Sequence, residues 1–211
     1  MGQRYATICR HLGYDVMGHD RHDAWAFPEE IERASHIILA TPTKQHLTEL
    51  KRLFEYDVPI LCEKPFTTNY DELCAFEDKH RPDLAMVQMV NQYEFMLNDL
   101  HTGHTSYDYF KTGGDGLYWD CINIVGLAKG SITLNNKSPI WACKINGRLL
   151  HISDMDYAYI SMIREFIRNP RCNYSYAKEA HRKVAEWDRR QNQSSLESRQ
   201  EAPAKGCLEN L

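Results

Sequence analysis

The sequence predicts an α/β protein in which a parallel sheet comes first and a smaller α+β region follows. Two short, continuously apolar runs, residues 37–40 and 58–62, are typical of strands that are buried on both faces. Between them Leu47, Leu50 and Phe54 recur at helical spacing. A strand, a helix and a second strand in this order predict a βαβ unit, whose strands are parallel neighbours because such crossovers are right-handed.

Each of the two strands ends in a polar cluster. Thr41-Pro42-Thr43 follows the first strand and Glu63-Lys64-Pro65 follows the second. Ligands of parallel sheets bind at the carboxyl ends of the strands, so both clusters are candidates for a binding crevice. Lys64 is the first candidate for a catalytic group, because a partly desolvated ammonium can bind a substrate hydroxyl or transfer a proton. A solvated surface lysine is the alternative.

These clusters resemble motifs of the Gfo/Idh/MocA oxidoreductases, the glucose-fructose oxidoreductase and inositol dehydrogenase family. In that family a strand ending in Thr-Pro, with a His a few residues on, precedes a strand ending in Glu-Lys-Pro. The matching residues here are Thr41-Pro42, His46 and Glu63-Lys64-Pro65. The resemblance implies a Rossmann-like parallel sheet over residues 1–90, a smaller α+β domain with a mostly antiparallel sheet over 91–190, and a flexible tail over 191–211.

The resemblance also implies an activity. It is that of an oxidoreductase that uses NAD, with NADP less favoured, and transfers a hydride to or from a sugar or sugar-like polyol. The residues that it places at the cofactor are Thr41, Pro42, His46, Glu63 and Lys64. Lys64 would also contact the substrate. A helix-surface position is the alternative for His46, and Glu63 is expected to position groups rather than act as a base.

The N-terminal stretch predicts a helix over residues 3–12, ended by Gly13, and a short strand over 14–18 that runs into Asp20. An acid in that place binds the adenosine ribose in nucleotide-binding βαβ units, and a solvated turn is the alternative. Gly2 matches only the last glycine of a G-x-G-x-x-G phosphate loop, so the chain resembles an N-terminally shortened member. Free amides at the helix start near Gly2 remain candidates for a phosphate contact. A start assigned too late, a real shortening and a rearranged sheet are all open explanations.

The second half predicts the substrate side of the site. Relatives have an Asn after the strand that corresponds to residues 84–90 here. An Asp follows later in their chains, and a His lies four residues after that Asp. Asn91 and Asp120 match the first two, as candidates for substrate binding and catalysis, whereas the His position falls on Ile124, with Asn123 beside it as a candidate substrate contact. Removing a hydride from a carbinol carbon requires a group that takes the hydroxyl proton. A catalytically degenerate binding or assembly protein is therefore the alternative function. Another Rossmann-like enzyme, such as a methyltransferase, explains Asp20 but not Glu63-Lys64-Pro65.

Several further elements follow from local patterns. A helix is expected over residues 71–80 with Asn69 or Thr68 as its cap, then strands over 84–90 and 106–110. Strands over 131–134 and 140–145, joined by a turn at 135–136, are expected to precede a hairpin at Asn146-Gly147. The predicted last helices are 156–169 and 177–190.

Composition excludes some classes of protein. The 211 residues are 43% hydrophobic and 26% charged with a net charge of −4, which gives no basic footprint for nucleic acid or an anionic membrane. No apolar run approaches the about 20 residues of a membrane helix, and no signal-peptide pattern opens the chain, so a cytoplasmic protein is expected. Seven cysteines without a C-x-x-C pair predict reduced thiols. The histidine pairs His19 and His22, and His101 and His104, lack a third ligand at the spacing of a metal site. The family implies a homo-oligomer through the open face of the second sheet.

Overall fold

A three-stranded parallel sheet organises the first half of the chain. The computed structural model describes residues 1–19, 31–96, 107–112, 119, 121–123, 132–135, 137–145, 147–149 and 152–200. The strands are β1 (Ile37–Leu39), β2 (Ile60–Cys62) and β3 (Val87–Met89), in the spatial order β1-β2-β3. Both pairings are parallel. The βαβ prediction is thereby confirmed.

Helices cover both faces of this sheet. They are α1 (Gly2–His11), α2 (His46–Leu53), α3 (Tyr70–His80) and the short α4 (Gln92–Met96), with 3-10 turns at Thr43–Gln45, Phe54–Tyr56 and Asp83–Met86. The Asn69 side chain accepts hydrogen bonds from the amides of Asp71 and Glu72, which confirms it as the cap of α3. Gly13, at φ +86°, follows α1 as expected.

The alternation along β2 shows how the two faces are divided. Leu61 packs in a cluster with Tyr5 and Ile8 of α1 and with Phe166, whereas Ile60 and Cys62 pack in a second cluster with α2 and α3. Successive strand residues point to opposite faces, so this division is the one that period two requires. All three β2 residues are fully buried.

The short strand expected over residues 14–18 is wrong. These residues lie outside regular secondary structure, although Tyr14 and Val16 are half-buried against the Tyr5 cluster. An alternating pattern becomes a strand only when a neighbouring strand supplies backbone hydrogen bonds. Within the described part of the chain, residues 14–19 pair with no strand.

A mixed sheet of four strands follows. Its strands are β4 (Tyr107–Thr112), β5 (Ile132–Asn135), β6 (Lys137–Ile145) and β7 (Arg148–Leu149), in the order β5-β4-β6-β7. β4 pairs parallel with β5 and antiparallel with β6. The strands expected over residues 131–134 and 140–145 correspond to β5 and β6, and β4 lies between them in the sheet. The hairpin is confirmed: Ile145 lies opposite Arg148, and Gly147 has φ +79°.

Two longer helices complete the described chain, α5 (Ile152–Arg168) and α6 (Tyr174–Gln200). α5 packs beside α1 in the Tyr5 cluster, and the first turns of α6 contribute Tyr174 and Ala177 to the cluster on the opposite face of the sheet. α6 continues through Gln200, ten residues into the stretch expected to be a tail. These ten residues include no Gly or Pro and continue a helix that α3 and β3 already anchor. Among the described helices none has the length and apolar character needed to cross a membrane.

Candidate functional site

A cleft of about 570 Å³ opens at the carboxyl ends of β1 and β2. The sheet side of the cleft consists of the two polar clusters, and its other walls come from α1, α4 and α5. Its lining residues are Met1, Ala40, Thr41, Pro42, Thr43, His46, Glu63, Lys64, Gln92, Tyr93, Met155 and Tyr159.

The two strand ends are joined by backbone hydrogen bonds that extend the sheet. The Glu63 amide donates to the Leu39 carbonyl at 2.8 Å, and the Val90 amide donates to the Cys62 carbonyl at 2.8 Å. Thr41 and Glu63 therefore leave adjacent strands at the same edge. This is the geometry that the polar clusters predict.

His46 ties the two strand ends together from the start of α2. Its ring is 1% exposed. Nδ1 lies 2.7 Å from the Pro65 carbonyl oxygen, and Nε2 lies 2.7 Å from the Thr41 carbonyl oxygen. A neutral imidazole donates to one of these oxygens, and the cationic form donates to both. The helix-surface alternative for His46 is wrong, because the ring is buried between the two loops.

Glu63 is held by two donors from the protein. The Tyr5 hydroxyl donates to Oε1, and the Lys64 amide donates to Oε2 at 2.9 Å. Tyr5 is 2% exposed and Glu63 is 7% exposed. Burial, followed by the charge of Glu63, raises the pKa of Tyr5 far above its ordinary value, so the hydroxyl is protonated and can donate to Glu63 near neutral pH.

The Thr41 hydroxyl, by contrast, is buried without a hydrogen-bond partner. Burying a hydroxyl without a partner costs free energy, and such groups in native structures commonly mark a ligand or water position. Thr41 lines the cleft, half-buried, directly after β1. This orphan group is the strongest local sign that the cleft holds a polar ligand.

The helical wall of the cleft combines aromatic and cationic groups. Tyr159 of α5 lies beneath the Arg4 guanidinium, with 4.1 Å between the guanidinium carbon and the ring centroid. Arg4 also pairs with Asp156 one turn earlier on α5. Tyr93 of α4 is 4% exposed and faces the same cleft. The start of α1, the end of β2 and α5 are thus joined around one opening.

A cluster of buried amides lies behind the α4 wall. The Asn123 side-chain amide donates to Gln92 Oε1 at 3.1 Å, and Asn91 Nδ2 donates to a Glu94 carboxylate oxygen at 3.4 Å. Asn91 is 2% exposed and Asn123 is 1% exposed, and the amide oxygen of each lacks a partner. Gln92, rather than Asn91 or Asn123, lines the cleft.

The structure therefore brings together part of the predicted site. Five predicted residues line one cleft: Thr41, Pro42, His46, Glu63 and Lys64. Gly2 begins α1 beside it, where an added Cβ would lie 3.9 Å from the Ala40 Cβ. Neither Asn91 nor Asn123 lines the cleft: Asn123 contacts Gln92, which does, and Asn91 donates to Glu94. Asp20 and Asp120 lie outside the described residues.

Several cleft residues were missed in the sequence. They are Met1, Tyr5, Gln92, Tyr93, Met155 and Tyr159, of which Tyr5 acts from behind the wall. Met155 and Tyr159 are four residues apart on one helix face, a spacing that predicts a common neighbour but does not say which one. Within the residues that the structure describes, no group of three or more His, Cys, Asp and Glu is placed to hold a metal ion.

No protein-family model matches the sequence, and no curated protein is similar to it in sequence. Solved structures are similar in fold. A myo-inositol dehydrogenase from Corynebacterium glutamicum aligns with a TM-score of 0.58 and 13% identity, covering 76% of this chain and 79% of that chain. The WlbA dehydrogenase from Thermus thermophilus, in complex with NAD and UDP-GlcNAcA, aligns with a TM-score of 0.61 and 14% identity over 87% and 89% of the two chains.

A Gfo/Idh/MocA family oxidoreductase from Vibrio cholerae aligns with a TM-score of 0.62 and 8% identity, covering 92% of this chain and 88% of that chain. At such identities the likeness shows the fold. The structural neighbours thus come from the family that the Thr-Pro and Glu-Lys-Pro motifs resemble.

Proposed function

From this fold and cleft we propose that the protein is a nicotinamide-dependent oxidoreductase of the Gfo/Idh/MocA type, acting on a sugar or sugar-like polyol. The observation that carries the proposal is the shared cleft: Thr41 and Lys64 end adjacent parallel strands and line one opening. In open α/β sheets this edge is where nucleotides and their substrates bind.

The described residues fit a polar, planar ligand such as a nicotinamide. The orphan hydroxyl of Thr41 can donate to or accept from an amide group, and Tyr93 and Tyr159 offer apolar ring surface. Thr41, Pro42, His46 and Glu63 would hold the nicotinamide half, with Gly2 and Asp20 toward the adenosine half. NAD, when bound, would supply the hydride acceptor. NAD is proposed over NADP because Asp20 suits a free ribose.

Lys64 would act on the substrate oxygen. Its Nζ, as the neutral amine, would bind the reacting hydroxyl and accept the hydroxyl proton, becoming an ammonium as the carbon loses its hydride. Glu63, which is fixed by Tyr5 and by the Lys64 amide, would keep a fixed negative charge in the cleft wall beside Lys64. Asp120 is proposed as the second catalytic group. Asn91 and Asn123 are proposed as substrate-binding residues, and Asn123 would act through its bond to Gln92.

The substrate class is proposed from both sides of the cleft. Amides, hydroxyls and a single ammonium are the groups that recognise a polyhydroxylated ligand, and the Thermus neighbour was crystallised with a nucleotide sugar acid. Residues 1–90 would bind the nucleotide and residues 91–190 the substrate, with oligomerisation through the second sheet. Light scattering that shows only monomer would remove the last of these.

Calorimetric titration with NADH tests the proposal at low cost. The wild-type chain should bind NADH at micromolar to millimolar concentration. The Lys64→Ala variant should have an NADH affinity within a few fold of that of wild type, because Lys64 acts on the substrate. A matched control is Lys44→Ala, an exposed lysine just outside the lining residues. Absence of heat at millimolar NADH would contradict the proposed activity.

A binding or assembly function is the second candidate, and a sequence observation favours it. Ile124 stands where relatives have the histidine that takes the hydroxyl proton. A protein of this second kind would turn over none of a panel of polyols and nucleotide sugars, whether or not it binds NADH. The panel, assayed by absorbance of NADH, therefore separates the two functions.

A further inference from the structure

The turn that carries Lys64 is held from outside the cleft by the last helix. Residues 65–67 follow Lys64 and are buried. His181 lies in α6, 115 positions after Phe66, and is 0% exposed. It lines no part of the cleft, and neither the motifs nor the structural neighbours assign it a role.

One ring nitrogen of His181 accepts a backbone hydrogen bond from this turn. The Phe66 amide donates to Nε2 at 3.1 Å, while Nδ1 lies 2.6 Å from the Ala177 carbonyl oxygen. Nδ1 must therefore carry the proton and Nε2 the lone pair. Burial lowers the pKa of His181 to about 4, which keeps the ring neutral and Nε2 an acceptor near neutral pH.

The same helix face clamps the Phe66 ring. Phe66 stacks on His181 with centroids 5.7 Å apart and on Tyr174 with centroids 6.2 Å apart, at interplanar angles of 17° and 15°. His181 and Tyr174 are seven positions apart and so share one helix face. Trp119 packs against His181 at 5.8 Å and donates its indole N–H to Asp188 at 2.7 Å. The α6 face therefore fixes both the ring and the amide of Phe66.

We propose that His181 is a positioning residue for Lys64. By accepting the Phe66 amide and stacking on its ring, it sets the backbone path from Lys64 to Thr67 and so the place at which the lysine meets the ligand. His46 fixes the same turn from the other side through the Pro65 carbonyl. The role in turnover rests on the proposed function; the effect on the geometry of Lys64 does not.

The experiment compares two substitutions at one position. His181→Phe keeps an aromatic ring but removes the acceptor, whereas His181→Gln supplies a side-chain oxygen that can accept the Phe66 amide. Leu84→Ala, which truncates another buried side chain of the hydrophobic cluster that contains Phe66, is a control for general destabilisation of that cluster. Two readouts use the whole chain without ligand: amide exchange, and the ¹³C resonance of reductively methylated Lys64, assigned with Lys64→Arg.

In His181→Phe, exchange at Phe66 should accelerate by about ten-fold beyond its change in Leu84→Ala. The Met89 amide, which donates to Asn173 at 2.7 Å, should change only as in that control. The Lys64 resonance should shift in His181→Phe and return toward wild type in His181→Gln. An unmoved resonance, a shift equal to that in Leu84→Ala, or no recovery in His181→Gln would overturn the proposal.

A kinetic readout completes the test once a substrate is known. His181→Phe should lower turnover by about 10²-fold, the cost typical of a small misplacement at a reacting centre, with NADH affinity within a few fold. A wild-type chain that binds no NADH would refute the proposed activity, while the Lys64 resonance would still decide whether His181 positions Lys64.

Discussion

The ends of β1 and β2, which lie side by side at one edge of the cleft, are held in different ways. The end of β2 is held from three helices, by Tyr5 on Glu63, by His46 on Pro65 and by His181 on Phe66. The end of β1 is tied through the Thr41 carbonyl to His46, and its side-chain hydroxyl is buried without a partner. The β2 end is thus held by hydrogen bonds from three helices, whereas the β1 end has an unmet hydrogen-bonding group.

This difference indicates that the two strand ends have different functions, chemistry at the end of β2 and ligand recognition at the end of β1. Groups that perform chemistry must be held rigidly, and that requires a shell of supporting contacts such as the one around Lys64. A group that recognises a ligand can remain unsatisfied in the free protein, because the ligand supplies the missing partner. Substitutions at the two strand ends should therefore differ in their effects on turnover, stability and binding.

Lys64→Ala should have the largest effect, on turnover. Losing a group that transfers a proton typically lowers the rate by about 10²–10⁴-fold. Since Lys64 acts on the substrate, NADH affinity should change by only a few fold. Steady-state kinetics and a calorimetric titration measure both quantities. Turnover that survives the substitution would show that the supporting contacts at the end of β2 do not serve to position a catalytic lysine.

The buried ring of His181 should make stability depend on pH. Its pKa is lowered from 6.5 to about 4 in the folded chain, so the unfolded chain takes up the proton first as pH falls. The free energy of unfolding should therefore fall between pH 6.5 and 4 by about 1.4 kcal/mol per pH unit, about 3 kcal/mol in all. Urea unfolding at several pH values measures it. His181→Gln should lack this contribution, and parallel curves for the two proteins would contradict it.

Tyr5→Phe should destabilise the fold by about 2 kcal/mol, since the lost hydroxyl binds a buried carboxylate. Tyr176→Phe is the matched control: its hydroxyl donates to a neutral carbonyl, that of Asn123, at 2.8 Å. That loss should cost about 1 kcal/mol. Urea unfolding of both variants gives the comparison. Equal losses would mean that the Tyr5 bond adds nothing beyond an ordinary hydrogen bond.

Thr41→Val should have the smallest effect on stability and a clear effect on binding. Because the hydroxyl has no partner, its removal should leave the free energy of unfolding unchanged or raise it by up to about 1 kcal/mol. NADH affinity should fall by roughly ten-fold, the worth of about one hydrogen bond. A destabilised variant with unchanged NADH affinity would contradict the proposal that the end of β1 recognises the ligand.

The sequence predicted the sheet and the residues at its edge because those signals are local. Buried apolar runs, the helical stripe of α2 and the Asn69 cap depend on neighbours in the chain, and all are present. The strand over residues 14–18 failed because it required a partner strand, which a local pattern does not reveal. The strand order of the second sheet was not predicted for the same reason, since β4 pairs with strands that follow it at a distance.

The support of the site was invisible for a related reason. Tyr5 and Glu63 are 58 positions apart, and Phe66 and His181 are 115 apart, so no spacing rule connects them. A lone histidine on an apolar helix face is also what an ordinary core histidine looks like in sequence. Only the fold shows that its lone pair meets the turn after Lys64.

The central claim is that the ends of β1 and β2 form one nucleotide site, and amide exchange with and without saturating NADH tests it most directly. NADH should slow exchange at Thr41, Thr43, Glu63 and Lys64 together, with little change in the second sheet. Protection confined to one strand end, or to residues away from both, would contradict it.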